Sequence, residues 1–184
     1  KVFLITPGDH YEILFSADLD GGKFEIKGEL DEPQQVILKV NRRQIYFFMD
    51  GKEMKVACPY VFLNSSYLKG APANDLSQEY DDIMQKGYYQ KFNVLLGEYK
   101  ELLASGDTQK ADEKMTQALK LEDKRFELTR EFVSRYPDNI FSAYISDVVK
   151  EESYEKGKVL FDLLTPDIQN SLYGKLLKQH TDSL

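Results

Sequence analysis

The sequence predicts an α+β protein: an N-terminal antiparallel β-sandwich or partly open barrel, followed by an all-helical part. Up to about residue 72, short apolar runs are separated by turn residues at intervals of about 8–12 positions, as in small all-β domains. From about residue 74, apolar residues recur at steps of three and four, the period of an amphipathic helix. We therefore divide the chain into a β subdomain, residues 1–72, and a helical subdomain, residues 73–184.

Five segments of the β subdomain are predicted as strands: residues 2–5, 11–16, 23–28, 36–40 and 44–49. Within residues 23–28, apolar and polar residues alternate, so Phe24 and Ile26 are expected to face the core. Asp50-Gly51 is typical of a two-residue hairpin turn leading into a strand at residues 54–56. One or two further short strands are expected between residues 60 and 68. The tight turns imply antiparallel pairing.

The helical subdomain begins with a long αα-hairpin over residues 75–136. Gly106 is expected to end its first helix in the left-handed conformation, and Asp107 to cap the second. The apolar stripe of the second helix spans about half its circumference, which indicates two packing partners: the first helix, and the sheet or a later helix. The stripe consists of Met115, Leu119, Leu121, Phe126, Leu128, Phe132 and Val133.

Short helices are expected over residues 139–180 as a compact terminal bundle. Pro137 stops the long helix, and Asn139 caps the next one. Ser153 is expected to cap a helix over residues 154–164. Thr165-Pro166-Asp167 is typical of a helix N-terminus, and one last helix is expected to begin there.

The charge balance excludes some classes of partner. The chain carries 31 acidic and 24 basic residues, a net charge of -7. Nucleic acid and anionic membrane surfaces bind basic footprints, so neither is an expected partner. The sequence contains no apolar run of the roughly 18 residues that a membrane span requires.

No catalytic, metal-binding or cofactor-binding residues are predicted. Cys58 is the only cysteine and lies in an apolar, strand-like context, which indicates an inert thiol. His10 and His180 have no second ligand at metal-binding spacing. The acidic clusters at residues 18–20 and 79–82 are interpreted as a solvated turn and a helix N-terminus. Phosphate-loop, nucleophile-elbow and zinc-protease motifs are absent from the sequence.

Aromatic residues are abundant, with 12 tyrosines and 11 phenylalanines. Those near the predicted junction of sheet and helices form a candidate interaction surface for a peptide or a glycan; the alternative is that they belong to the core. The candidate residues are Tyr60, Phe62, Tyr67, Tyr88 and Tyr89.

Several segments together resemble one family. Residues 22–33 (GKFEIKGELDEP), 67–74 (YLKGAPAN), 132–139 (FVSRYPDN), 142–144 (SAY) and 173–175 (YGK) follow its order and spacing. The family is the N-terminal domain of unknown function that precedes thioredoxin-like domains of the thiol–disulfide oxidoreductase or peroxiredoxin type in bacterial cell-envelope proteins. The resemblance covers nearly the whole chain. It departs from the family in lacking the usual first strand, a lipoprotein signal and the thioredoxin-like domain with its Cys-x-x-Cys.

The resemblance implies a β-sandwich with a helical part, no catalytic residue within these positions, and export to the periplasm or cell envelope. It implies a C-terminal thioredoxin-like domain of the same polypeptide as partner, with a homo-oligomer as a further expectation. A lipid anchor would lie upstream of residue 1. The alternative hypotheses are a stand-alone cell-surface binding module and, least favoured, an enzyme that uses a carboxylate pair.

Overall fold

The structure, a computed structural model, describes residues 1–8, 10–49, 55–57, 67–69 and 71–181. The chain forms two compact units. The first contains Lys1–Asp75 with Asn170–Leu172, and the second contains Leu76–Gln169 with the residues from Tyr173 onward. An antiparallel sheet precedes the helices, so the predicted α+β class is confirmed.

The first unit is built on a four-stranded antiparallel sheet. Its strands are β1 (Val2–Ile5), β2 (Ile13–Ala17), β3 (Gln34–Val40) and β4 (Arg43–Met49), in the order β2-β1-β3-β4. Among the described strands the sheet is open, with β2 and β4 outermost. Strands β5 (Lys55–Ala57) and β6 (Tyr67–Lys69) form a separate antiparallel pair.

Strand register places one buried cluster on one face of this sheet, while Ile5, Ile37 and Phe48 are buried on the other face. Val2 and Leu4 of β1 pair with Val40 and Leu38 of β3, and the alternation of side chains turns all four to the same side. With Val36, Ile45 and Phe47 they form a buried cluster. The turn between β3 and β4 is short because Asn41 adopts a φ of 55°, a left-handed conformation that asparagine tolerates.

The predicted strand over residues 23–28 is wrong. Only Lys23 bridges, to Asp20, and residues 24–30 have no strand pairing. Phe24 and Ile26 nevertheless pack against the buried cluster, as expected. Alternation of polarity fixes which side chains face inward, whereas strand pairing requires a neighbouring backbone, which the pattern does not encode.

Two other expectations for this unit concern residues outside the described ones. The Asp50-Gly51 turn and Cys58 both lie there. Among the described strands, β4 pairs with β3 and β5 pairs with β6. Of the strands expected after residue 60, the structure shows β6.

The helical hairpin has the predicted connection. Its first arm is one helical run made of α1 (Pro72–Met84), a π-helical turn (Gln85–Tyr89) and α2 (Gln90–Ser105). Gly106 ends it with a φ of 83°, and the Asp107 side chain accepts the Lys110 N–H at 3.2 Å at the start of α3 (Thr108–Arg135). Both caps are confirmed. Sequence did not predict the π turn.

Helix α3 has two sets of neighbours, as its wide stripe predicted. It packs along α2 and also contacts α4 (Ile140–Glu152) and α5 (Tyr154–Phe161). The prediction that Leu119 belongs to the packed stripe is wrong, since this side chain is 61% exposed. Contacts of α5 and α4 with α3 lie at Phe126 and Phe132, about two and three and a half turns beyond Leu119.

The terminal helices begin at the predicted caps. The Asn139 side chain accepts the Phe141 N–H, and the Ser153 hydroxyl accepts the Lys156 N–H. The prediction of a single last helix is wrong, because the chain forms α6 (Pro166–Gln169) and then α7 (Leu172–Thr181). No helix in the described part of the chain has the length and apolar character needed to cross a membrane.

Candidate functional site

The predicted interaction surface is only partly visible. Tyr60 and Phe62 lie outside the described residues, and for Tyr67 the structure describes the backbone, at the start of β6. Tyr88 and Tyr89 both lie in the π turn of the second unit. Tyr89 is 39% exposed, but Tyr88 is 4% exposed and does not present its ring to a partner. The two rings nevertheless contact each other edge to face, with centroids 5.0 Å apart.

The buried ring of Tyr88 forms a polar cluster with α3. Its hydroxyl donates to Glu122 Oε1, and Glu122 Oε2 accepts from Arg125 Nε at 2.9 Å. The Arg125 guanidinium also lies 5.7 Å from the centre of the Tyr88 ring. Burial, followed by the hydrogen bond to Glu122 and the charge of that carboxylate, raises the pKa of Tyr88. The phenol is therefore protonated near neutral pH and acts as a hydrogen-bond donor.

Glycine allows this part of the hairpin to pack closely. A Cβ added at Gly87 would lie 2.6 Å from Leu128 Cδ1, which is closer than van der Waals contact permits. The π turn therefore meets α3 at a position where any larger residue would displace Leu128. This explains the closeness of the two arms but gives the cluster no chemical role beyond packing.

A second polar cluster links α1 to the C-terminal part of α3. Thr129 Oγ1 donates to the Arg125 carbonyl at 3.1 Å, so its single hydroxyl proton is used there. The 2.8 Å bond between Tyr80 Oη and Thr129 Oγ1 must then have Tyr80 as donor. Burial raises the pKa of Tyr80, in agreement with a protonated phenol.

The interpretation of the acidic cluster at residues 79–82 as a helix N-terminus is wrong, because these residues lie in the second half of α1. The Tyr136 hydroxyl lies 3.0 and 2.9 Å from the two carboxylate oxygens of Glu79, and Arg135 Nη1 lies 3.2 Å from one of them. Desolvation, and then the charge of Asp82, raises the pKa of Asp81. These residues do not form a set with the convergent geometry of an acid–base pair.

Metal-binding geometry is not found in the described residues, where no group of three or more histidine, cysteine, aspartate or glutamate side chains converges. His10, Asp18 and Asp20 are exposed. The side chain of His180 lies outside the described part of the chain.

The first unit contains a groove that the sequence did not predict. It lies on the sheet face opposite the buried cluster and has a volume of about 230 Å³. Its lining is apolar and basic: Lys1, Phe3, Ile5, Tyr11, Ile13, Lys39 and Asn41. We call it the sheet groove.

Exposure of large side chains marks this face of the sheet. Ile13 is 58% exposed, Tyr46 52% and Tyr11 49%, and the Lys39 ammonium lies 5.2 Å from the centre of the Tyr11 ring. A signal for this surface was present in β1, where Phe3 and Ile5 make the second face apolar as well. Sequence alone does not reveal whether another element covers that face.

The chain was compared with family models, curated proteins and solved structures, and none of them matches.

Proposed function

We propose that this chain is a non-catalytic accessory domain of a periplasmic or cell-envelope thioredoxin-like thiol–disulfide oxidoreductase. It would position or dimerise the redox domain, or contact its substrates. The partner is a C-terminal thioredoxin-like domain of the same polypeptide, and a lipid anchor would lie upstream of residue 1. The assignment to this family is based on the segments of the sequence that resemble it in order and spacing.

One observation carries the proposal: the polar and glycine residues of those segments bond to, or pack on, the backbone of their own unit. Asn74 bonds to the backbone of Phe48, and Ser142 Oγ donates to the Tyr136 carbonyl at 2.6 Å. Asn139 caps α4. Gly174 lies against the carbonyls of Ile168 and Gln169. Residues used in this way maintain an architecture, which is the role expected of a domain whose chemistry resides elsewhere.

We extend the proposal to the β subdomain, as a β-sandwich or partly open barrel. The separate β5–β6 pair supports it, since a second sheet is the other layer that a sandwich needs.

The coding sequence beyond Leu184 tests the redox assignment directly. We expect it to encode a thioredoxin-like domain with a Cys-x-x-Cys motif. If so, insulin reduction by the full-length protein should exceed that of the isolated redox domain, whereas residues 1–184 alone should be inactive. A parent reading frame without such a domain, and without a neighbouring gene for one, would overturn the proposal.

A second candidate function is a stand-alone cell-surface binding module for peptide or glycan. The sheet groove favours it, because an exposed apolar groove with a few polar groups is the usual form of a recognition site. Screening the protein on peptide and glycan arrays provides the test. A binder whose signal is lost in Tyr67→Ala would place the site at the predicted aromatic surface; a blank screen would argue against the binding function.

A further inference from the structure

The outer strand of the sheet lacks the usual protection of an edge. β2 has the sequence ILFSA, with neither charge nor proline, and no strand of the described part of the chain pairs with its outer side. Edge strands in soluble proteins generally carry lysine, proline or another obstacle to pairing, because their unpaired N–H and C=O groups accept any extended chain. An apolar edge without these obstacles is therefore suited to binding a strand.

The register between β1 and β2 turns one side chain of this edge toward the sheet groove. A bulge between Leu4 and Ile5 shifts the pairing so that Ile5 lies opposite Ile13. Bulges redirect the side chain at which they occur. Ile13 is 58% exposed and lines the groove together with Phe3 and Tyr11.

Charge defines the chemistry of a ligand for this groove. Among the described residues, its lining contains two lysine ammonium groups and no carboxylate, in a chain whose net charge is -7. Lys1 is 4.0 Å from Asp18, and both side chains are well exposed. The Lys39 ammonium lies 5.2 Å from the centre of the Tyr11 ring.

We propose that β2 binds an extended peptide segment of a partner protein by strand addition, with an apolar side chain in the sheet groove and a carboxylate at Lys39. This inference rests on the binding function proposed above and specifies its site and its ligand class. Strand addition takes its affinity from main-chain hydrogen bonds and its selectivity from pockets for alternate side chains. A glycan offers no such repeating backbone. A second copy pairing through β2 would present residues 13–17, which contain no carboxylate for Lys39.

The probe is the synthetic peptide acetyl-TVFVEVT-amide, labelled with fluorescein and titrated with the protein while anisotropy is measured. Two control peptides replace the glutamate with lysine or the central valine with proline. The protein variants are Lys39→Glu and Ile13→Lys. Val94→Lys is the matched control, since Val94 is an equally exposed apolar residue on α2 of the second unit. Circular dichroism verifies that every variant is folded.

We expect saturable binding that Lys39→Glu and Ile13→Lys each weaken about tenfold or more, as expected for loss of a charged hydrogen bond or of an apolar contact. Val94→Lys should bind like the parent. The proline peptide should not bind, since it cannot form the strand ladder. Amide nitrogen–proton chemical shifts of residues 13–17 should change on titration.

Three positive results, and one negative result, would overturn the inference. The first is equal binding of the proline or lysine peptide. The second is array hits that depend on Tyr67 and not on Ile13 or Lys39, which would retain a binding module but move its site. The third is a dimer in analytical ultracentrifugation that Ile13→Lys dissociates, which would assign the edge to a second copy. Absence of binding to both the probe and the arrays would remove the binding function together with the site.

Discussion

The side-chain amide of Asn74 bonds to both polar groups of the Phe48 backbone. Its Oδ1 accepts the Phe48 N–H at 2.8 Å, and its Nδ2 donates to the Phe48 carbonyl at 3.0 Å. Asn74 is 6% exposed and Phe48 is 3% exposed. The amide thus satisfies the backbone of one residue of the outermost strand β4 as a neighbouring strand would.

Replacement of Asn74 should destabilise the protein more than replacement of most other single polar side chains. Asn74→Ala removes both hydrogen bonds to the buried Phe48 backbone, and each such loss costs about 1–3 kcal/mol. We expect a decrease of about 2–4 kcal/mol in the free energy of unfolding, measured by urea denaturation. Gln78→Ala, an exposed position on α1, should change it by less than about 0.5 kcal/mol. A loss of under about 1 kcal/mol for Asn74→Ala would mean that water replaces the amide.

Two helical glycines of the first hairpin arm should respond in opposite ways to alanine. A Cβ at Gly97 would meet nothing within 4 Å, whereas one at Gly87 would lie 2.6 Å from Leu128 Cδ1. Alanine in a helix interior is favoured over glycine by about 0.5–1 kcal/mol. Gly97→Ala should therefore raise the thermal midpoint, and Gly87→Ala should lower it or leave it unchanged.

A double-mutant cycle isolates the contact at Gly87. Leu128→Ala removes the side chain that the new Cβ would meet, so Gly87→Ala should be less harmful in that background than in the parent. Equal effects in both backgrounds would show that the π turn itself, rather than Leu128, requires glycine.

Alkaline pH should lower the free energy of unfolding of the second unit, because unfolding allows Tyr88 to lose its proton. Because burial and Glu122 raise the pKa of Tyr88 above its ordinary value of 10.0, the folded protein holds this proton at a pH where the unfolded chain has released it. The stabilisation is complete below about pH 10 and is lost as the pH rises toward the folded-state pKa. We expect the free energy of unfolding to be about 1 kcal/mol lower at pH 11 than at pH 9 from this group.

The Tyr88→Phe variant separates this effect from general alkaline destabilisation. It should be less stable than the parent at pH 8, and its stability should fall less steeply between pH 9 and pH 11. Part of the fall should persist, because the pKa of Tyr80 is raised as well. Parallel curves for parent and variant would contradict the proposed role of Tyr88.

Gly174 should tolerate no side chain. An added Cβ would lie 2.3 Å from the Ile168 carbonyl oxygen and 2.4 Å from that of Gln169. Backbone atoms cannot rotate away as the end of a leucine can, so Gly174→Ala should cost about 2–4 kcal/mol. Far-ultraviolet circular dichroism during urea unfolding measures this loss, with Gly97→Ala as the control for an unhindered helical glycine.

Local signals in the sequence predicted the ends of the helices well. Gly106, Asp107, Asn139 and Ser153 occupy the predicted cap positions because a cap depends on a few neighbouring residues. The division of the last helix was missed for the opposite reason. Gly174 there lies against the backbone of Ile168 and Gln169, and no helical periodicity encodes that contact.

Features that depend on distant parts of the chain were not predictable. Residues 23–28 have the alternation of a strand but no backbone partner, and Leu119 has the spacing of a core residue but no covering helix. The sheet groove could not be predicted for the same reason, because the sequences of β1 and β2 do not encode whether another element covers Phe3 and Ile13. Of the candidate tyrosines, the burial of Tyr88 could be anticipated only from the cross-hairpin position of Glu122.

The π turn has a consequence for the evolution of the long hairpin. A π turn is what remains when a helix accepts one extra residue without breaking. Gln85–Tyr89 form this turn inside one helical run from Pro72 to Ser105. Because the wider turn takes up the extra residue, deletion of one residue here should convert it to ordinary α-helix and leave the face that α2 turns toward α3 nearly unchanged. Length change, which proteins usually confine to loops, would in this molecule be absorbed within a helix.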